Sequence, residues 1–202
     1  MRLPADTVLL LVDVQDAIDD PVWGPRNNPD AEHAIAALLG AWREAAMPIV
    51  HVRHDSVEPA SPYRPGTPGH AFKACAAPAP GEDVVAKATG SAFVGTDLEE
   101  RLAAGGHTTL VVCGVLTHNS VATTVRHAGC LGFRAFVPQD ACWAVEQRDQ
   151  SGRVWPAETV HALALAGLHG DYAGVTTTAA VLSAVTLTTA FRRRKERRRT
   201  AP

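Results

Sequence analysis

The 202-residue chain has few cysteines and no cysteine pattern. Cys75, Cys113, Cys130 and Cys142 form no CxxC pair and no metal-ligand spacing, so they are read as reduced thiols of a cytoplasmic protein. A basic body is missing too. The formal net charge is −2, yet residues 192–199 (RRRKERRR) carry seven positive charges and one negative, leaving −8 on the rest. Phosphate contacts need a basic face, so nucleic acid is not an expected partner. The amino-terminal stretch MRLPADTVLLLVDV has a short apolar run that ends at Asp13 and no cleavage-like segment, so a secretory signal is not expected. Residues 172–191 lack any charge and precede the arginines, which is the outline of a stop-transfer segment. Six threonines and Ser183 make that stretch a poor span, and it reads as a strand followed by the final helix; no membrane partner is expected. There is no internal repeat.

What is present is the composition of one soluble globular domain: 46% hydrophobic and 20% charged residues, enough at this length for a single core without a disulfide or metal staple. Residues 7–14 (TVLLLVDV) form a continuous β-rich run, as expected of a strand buried on both faces. Residues 30–46 place Ile35, Leu38, Leu39 and Trp42 at helical spacing behind Asp30. Residues 48–53 (PIVHVR) predict a second strand, and residues 55–80, with eight prolines or glycines, a long loop. Strands at 83–86, 108–114 and 133–138 alternate with helices at 97–104, 118–130 and 157–168, before a last strand and helix within 172–189. Six strand–helix alternations predict an α/β fold: an open parallel sheet covered by helices on both faces.

In such a sheet, ligands bind beyond the carboxyl ends of the strands. That rule selects Asp13 after the first strand, Lys87 after the third, Thr117 to Ser120 at the start of the following helix, and Asp140 and Cys142 after the fifth strand. A carboxylate, an amine and a hydroxyl at a helix start form a possible acid–base and nucleophile set, with backbone N–H groups able to hold an oxyanion. The same residues read equally well as a structural ion pair beside a first-turn hydroxyl.

Three segments carry a resemblance: VDVQDAI (residues 12–18), VVAKATGSAF with Lys87, and GVLTHNSVATTVRHAGCLGF (residues 114–133). Over roughly residues 7–190 the chain resembles the isochorismatase-like, or cysteine hydrolase, superfamily. WGPRNNPDAE, HVRHDSVEPASPYRPGTPG and SAFVGTDLEERL are similar to its streptothricin-hydrolase-like subgroup. The resemblance implies a three-layer α/β/α, Rossmann-like domain over residues 1–190, with a six-stranded, mainly parallel sheet. Residues 191–202 would then be a disordered basic tail. It also implies a small-molecule substrate, no metal or cofactor, and a homodimer or homotetramer.

The family's Asp–Lys–Cys triad carries over to Asp13 and Lys87, but Ser120 stands where the nucleophilic Cys is expected. A thiol near a lysine reaches the thiolate at neutral pH, whereas a serine needs a general base at the moment of attack. By resemblance, a non-proline cis peptide joins Val115 and Leu116, the N–H groups of Leu116 and Ser120 form an oxyanion hole, and Gln15, Trp23, Phe93, Thr117 and His118 line the substrate pocket. For Phe93 and Trp23, ordinary packing is the competing reading. Cys142 sits past a strand end but lacks a helix start to activate it. His51, His54, Asp55 and His70 invite a metal reading, but the Asp-x-His pattern of related nicotinamidases is absent, with Arg53 and Asp55 there instead. Three functions follow: C–N bond hydrolysis of an amide, lactam or related acyl group through Asp13, Lys87 and Ser120; vinyl-ether hydrolysis without a covalent intermediate; or a ligand-binding or assembly protein with a dead site.

Overall fold

The structure, a computed structural model, describes residues 1–199. Its elements in chain order are strand β1 (Val8–Val12), helix α1 (Ala31–Ala45), β2 (Ile49–His54), β3 (Asp83–Lys87), α2 (Leu98–Ala104), β4 (Thr109–Val115), α3 (Ala122–Cys130), β5 (Arg134–Pro138), β6 (Cys142–Trp143), β7 (Gln147–Arg148), β8 (Val154–Trp155), α4 (Ala157–Ala166), β9 (Ala173–Thr176) and α5 (Thr178–Arg199). The main sheet runs β3-β2-β1-β4-β5-β9 with every neighbouring pair parallel. The two-residue β6 adds to β4 through Gly114 and Val115, giving seven strands where six are predicted. Two residues carry no periodicity, which is why the sequence hides β6. The same holds for β7 and β8, which pair antiparallel outside the sheet.

Every residue of β1 and β4 is buried, matching their unbroken apolar runs. Ile35, Leu38, Leu39 and Trp42 face the core from α1, and the fully buried Trp42 donates its indole N–H to Thr7 O at 3.0 Å. At the β1–β4 contact Gly114 has φ +120°, and a Cβ there would lie 2.2 Å from Val12 O. Only glycine permits that approach. Chain order reverses across this same β1–β4 pair, the switch point beyond which ligands bind in open parallel sheets.

The last helix differs from expectation. α5 does not stop near residue 190; it continues to Arg199 and so takes in the basic run. No glycine or proline interrupts it, and arginine and lysine are favourable helix residues. Thr188 donates to Leu3 O (2.6 Å), and Arg192 to Ala45 O (3.0 Å), tying this helix to the amino terminus and to α1. The expected end of the tail, residues 200–202, lies outside the described residues. Among the described residues, no helix is long and apolar enough to cross a membrane.

Candidate active site

Asp13 follows β1 with φ +55°, a left-handed conformation that Asp tolerates better than most residues. Its N–H donates to Val52 O (3.0 Å), and its carbonyl accepts from Gln15 N–H (2.9 Å). The chain therefore turns sharply at the carboxyl end of this central strand and leaves the carboxylate over the switch point. Lys87, the last residue of β3, is 2% exposed. Its ammonium donates to Asp13 Oδ2 at 2.7 Å and Thr89 O at 2.9 Å, and stands 3.3 Å from Ser120 Oγ.

Ser120 lies in a π-type turn, Thr117–Val121, that leads into α3. The N–H groups on either side of it, from Asn119 and Val121, both donate to Leu116 O (3.0 and 3.2 Å) and anchor the turn. The Val115–Leu116 peptide is cis. Burial pushes the Asp13 carboxyl up, opposed by the charge and hydrogen bond of Lys87 and by Ser120. Among the described residues the other carboxylate oxygen, Oδ1, is buried without a direct hydrogen-bond partner. A buried carboxyl held by one lysine and influenced by the Ser120 hydroxyl is equipped to move a proton.

The structure thus brings Asp13, Lys87 and Ser120 together; the pocket candidates are more scattered. Gln15 spans two chain segments, donating to His54 O and His70 O and accepting from His54 N–H. Trp23 donates to Ala17 O and meets Tyr63 edge-on, 6.0 Å between centroids. Phe93 packs against His127 and Phe133. Thr117 Oγ is 2.9 Å from His161 Nδ1 on α4. His118 lines a groove of about 430 Å³ with Arg126, Trp155 and Leu163.

Two strand-end candidates have structural work instead. Asp140 Oδ1 accepts from the N–H and hydroxyl of Thr178 at the start of α5 (2.7 and 3.0 Å). Cys142 is fully buried in β6, and burial pushes its thiol up to about 12. Asp55 is held by Arg53 and by His70 (both 2.7 Å), while His51 pairs with Glu82 (2.8 Å). Among the described residues no group of three or more His, Cys, Asp or Glu is placed to hold a metal ion.

Sequence reasoning missed two neighbours of the cluster in this role. His54 Nδ1 is 3.4 Å from Lys87 Nζ, and Tyr63, from the long loop, donates to Asp13 O at 3.5 Å. His54 had a signal available: like Lys87, it ends a strand.

The isochorismatase domain matches residues 7–180 of the chain. The chain belongs to the isochorismatase family. A crystal structure described as a hydrolase of this isochorismatase family, from Chromobacterium violaceum, is 52% identical with a TM-score of 0.89, over 92% of this chain and 97% of that one. An uncharacterised isochorismatase family protein of Bacillus subtilis, YrdC, is 40% identical over 170 residues, 84% of this chain and 91% of that protein. Streptothricin hydrolase from Streptomyces noursei is 39% identical over 136 residues, 66% of this chain but only 52% of its own length.

Proposed function

We propose that this isochorismatase family member is a hydrolase that cleaves a C–N bond, in an amide, lactam or related acyl group of a small polar molecule. The observation that carries the reading is the buried Asp13–Lys87–Ser120 cluster, whose ammonium reaches both the carboxylate and the hydroxyl. Burying two charges without function is expensive, and the free Asp13 Oδ1 is available to take a proton. The relatives described as an isochorismatase-family hydrolase and as streptothricin hydrolase support hydrolysis of a small molecule.

Ser120 attacks the acyl carbon as Asp13 accepts its proton; Asp13 returns that proton to the leaving nitrogen, and Lys87 stabilises the carboxylate. A water then attacks the acyl–Ser120 ester as Asp13 takes its proton and passes it to the departing Ser120 oxygen, which frees the acid and restores the hydroxyl. The N–H groups of Leu116 and Ser120 receive the developing oxyanion. Within the same reading the domain is a three-layer α/β/α unit, works in the cytoplasm without a metal, and assembles as a homodimer or homotetramer.

The unpartnered Asp13 Oδ1 also favours a second route without a covalent intermediate, in which Asp13 protonates the alkene carbon of a vinyl ether, water adds to the resulting oxocarbenium carbon, and Asp13 accepts that water's proton. A panel of amides, lactams and isochorismate assayed with native protein, Asp13→Asn and Ser120→Cys tests both. Asp13→Asn is expected to lower kcat/KM by roughly 10²- to 10⁴-fold. Ser120→Cys is expected to raise amide turnover if the nucleophilic route operates, and to leave turnover unchanged on the direct route. Equal inertness of native protein and Asp13→Asn on every substrate would remove the hydrolase reading and leave a ligand-binding or assembly role.

A further inference from the structure

Lys87 has more acceptors than protons. A lysine ammonium carries three N–H donors and no acceptor. Four acceptors surround this one: Asp13 Oδ2 at 2.7 Å, Thr89 O at 2.9 Å, Ser120 Oγ at 3.3 Å and His54 Nδ1 at 3.4 Å. The two short contacts take one proton each, and the two long ones share the third as a bifurcated bond. Sheet register makes the contact with His54 unavoidable. His54 and Lys87 are direct partners across the parallel β2–β3 pair, so their side chains leave the same face side by side.

A donor-only neighbour decides the imidazole's tautomer. Nδ1, facing the ammonium, carries no proton, so in the neutral ring the proton sits on Nε2. Tyr63 packs edge-on against the ring, 5.6 Å between centroids, and Gln15 clamps the His54 backbone at both its N–H and its carbonyl. Among the described residues the ring's direct side-chain polar contact is that of Nδ1 with Lys87, and the half-buried ring also feels the Lys87 carbonyl. With Nδ1 turned to the ammonium, the Nε2–H lies on the far side of the ring, one imidazole width from Lys87.

We propose that His54 is a substrate-binding residue of this site, presenting a neutral Nε2–H donor to an uncharged acceptor oxygen beside the bond to be cleaved. The choice of an uncharged oxygen follows from the surrounding charges. Lys87 is matched by Asp13, and Arg53 by Asp55, so neither cation is left over for a carboxylate. Burial, and then the charge of Lys87, push the His54 imidazole down to about 4, with the charge of Asp55 and a hydrogen bond to the Lys87 backbone opposing and His70 adding to the shift. The ring thus stays neutral at physiological pH. The inference rests on the hydrolase reading for its substrate class but not for the tautomer.

Long-range ¹H–¹⁵N spectra of the ¹⁵N-labelled full chain test the tautomer directly, with His54 assigned by the signals lost in His54→Gln. A protonated Nε2 and bare Nδ1 at pH 7.5 are expected; a protonated Nδ1 or an imidazolium there overturns the proposal. Titration with 2-pyrrolidinone, a neutral lactam, is expected to shift the Nε2 signal more than acetate does. His54→Phe is expected to weaken lactam binding roughly two- to tenfold, about the worth of one neutral hydrogen bond. His54→Gln, whose amide nitrogen falls near the place of Nε2, is expected to restore it. Lactam binding unaffected by His54→Phe, or acetate preferred over lactam, overturns the binding role. These readouts need no turnover, so a chain that hydrolyses nothing can still satisfy them, and an active hydrolase can still fail them.

Discussion

At the scale of single residues, one ammonium group organises the site. Lys87 fixes Asp13, reaches Ser120 and sets the proton on His54, all from the end of an edge strand. Asp13, Lys87 and Ser120 were legible because each lies where a strand ends or a helix begins, and because the motifs around them resemble known ones. Whether Ser120 works as a nucleophile is a question of atoms, since oxygen in place of sulfur demands a base that a thiolate would not need. Gly114 shows the same dependence on single atoms. Its methyl-bearing variant Gly114→Ala would drive Cβ into Val12 O at 2.2 Å, so β1 and β4 must part. A lowered thermal-unfolding midpoint, or loss of soluble protein, is the expected result; an unchanged midpoint would show that the strands separate easily.

At the scale of elements, apolar patterning was read correctly wherever a segment was long enough to show a period. α1 is such a case: Trp42 is fully buried and hydrogen-bonded to Thr7 O. Trp42→Ala is expected to cost about 3–5 kcal/mol in denaturant unfolding, the usual range for emptying a large core site. Short elements escaped, β6 among them, and Asp140 was placed among the chemistry candidates because it follows a strand. It caps α5 across 38 residues of sequence instead. Asp140→Ala should therefore lower stability by about 0.5–2 kcal/mol while leaving kcat on any substrate found unchanged. A large fall in kcat without a fall in stability would return Asp140 to the site.

At the scale of the whole molecule, pH couples the site to the fold. The His54 imidazole sits at about 4 in the folded protein against an ordinary 6.5. Between those values the unfolded chain binds more protons, so stability falls as pH drops from 6.5 towards 4. His51, also pushed down by burial, acts in the same sense. Glu82, drawn down to about 2 by its hydrogen bond from Arg43, continues the loss from 4.5 towards 2. Asp13, raised by burial, works in the opposite sense, since its protonation favours the folded state. Thermal midpoints are expected to decline through both windows. Glu82→Gln should flatten the lower window and, by taking from His51 the partner that holds its imidazole up, steepen the upper one; a lower window that declines equally in that variant would assign the loss to other groups.

By itself, the sequence determined the class of fold, the order of its main elements and the three residues of the cluster. These follow from local quantities: apolar runs that must be buried, breakers that end them, and motifs a few residues long. Tertiary structure alone decided that His54 faces Lys87, that the Tyr63 hydroxyl meets the Asp13 carbonyl, that Thr117 meets His161 and that Asp140 caps α5. Those contacts join residues 33 to 50 positions apart, and they arise from sheet register and helix packing. No local pattern encodes a register, because it is set only when the strands come together.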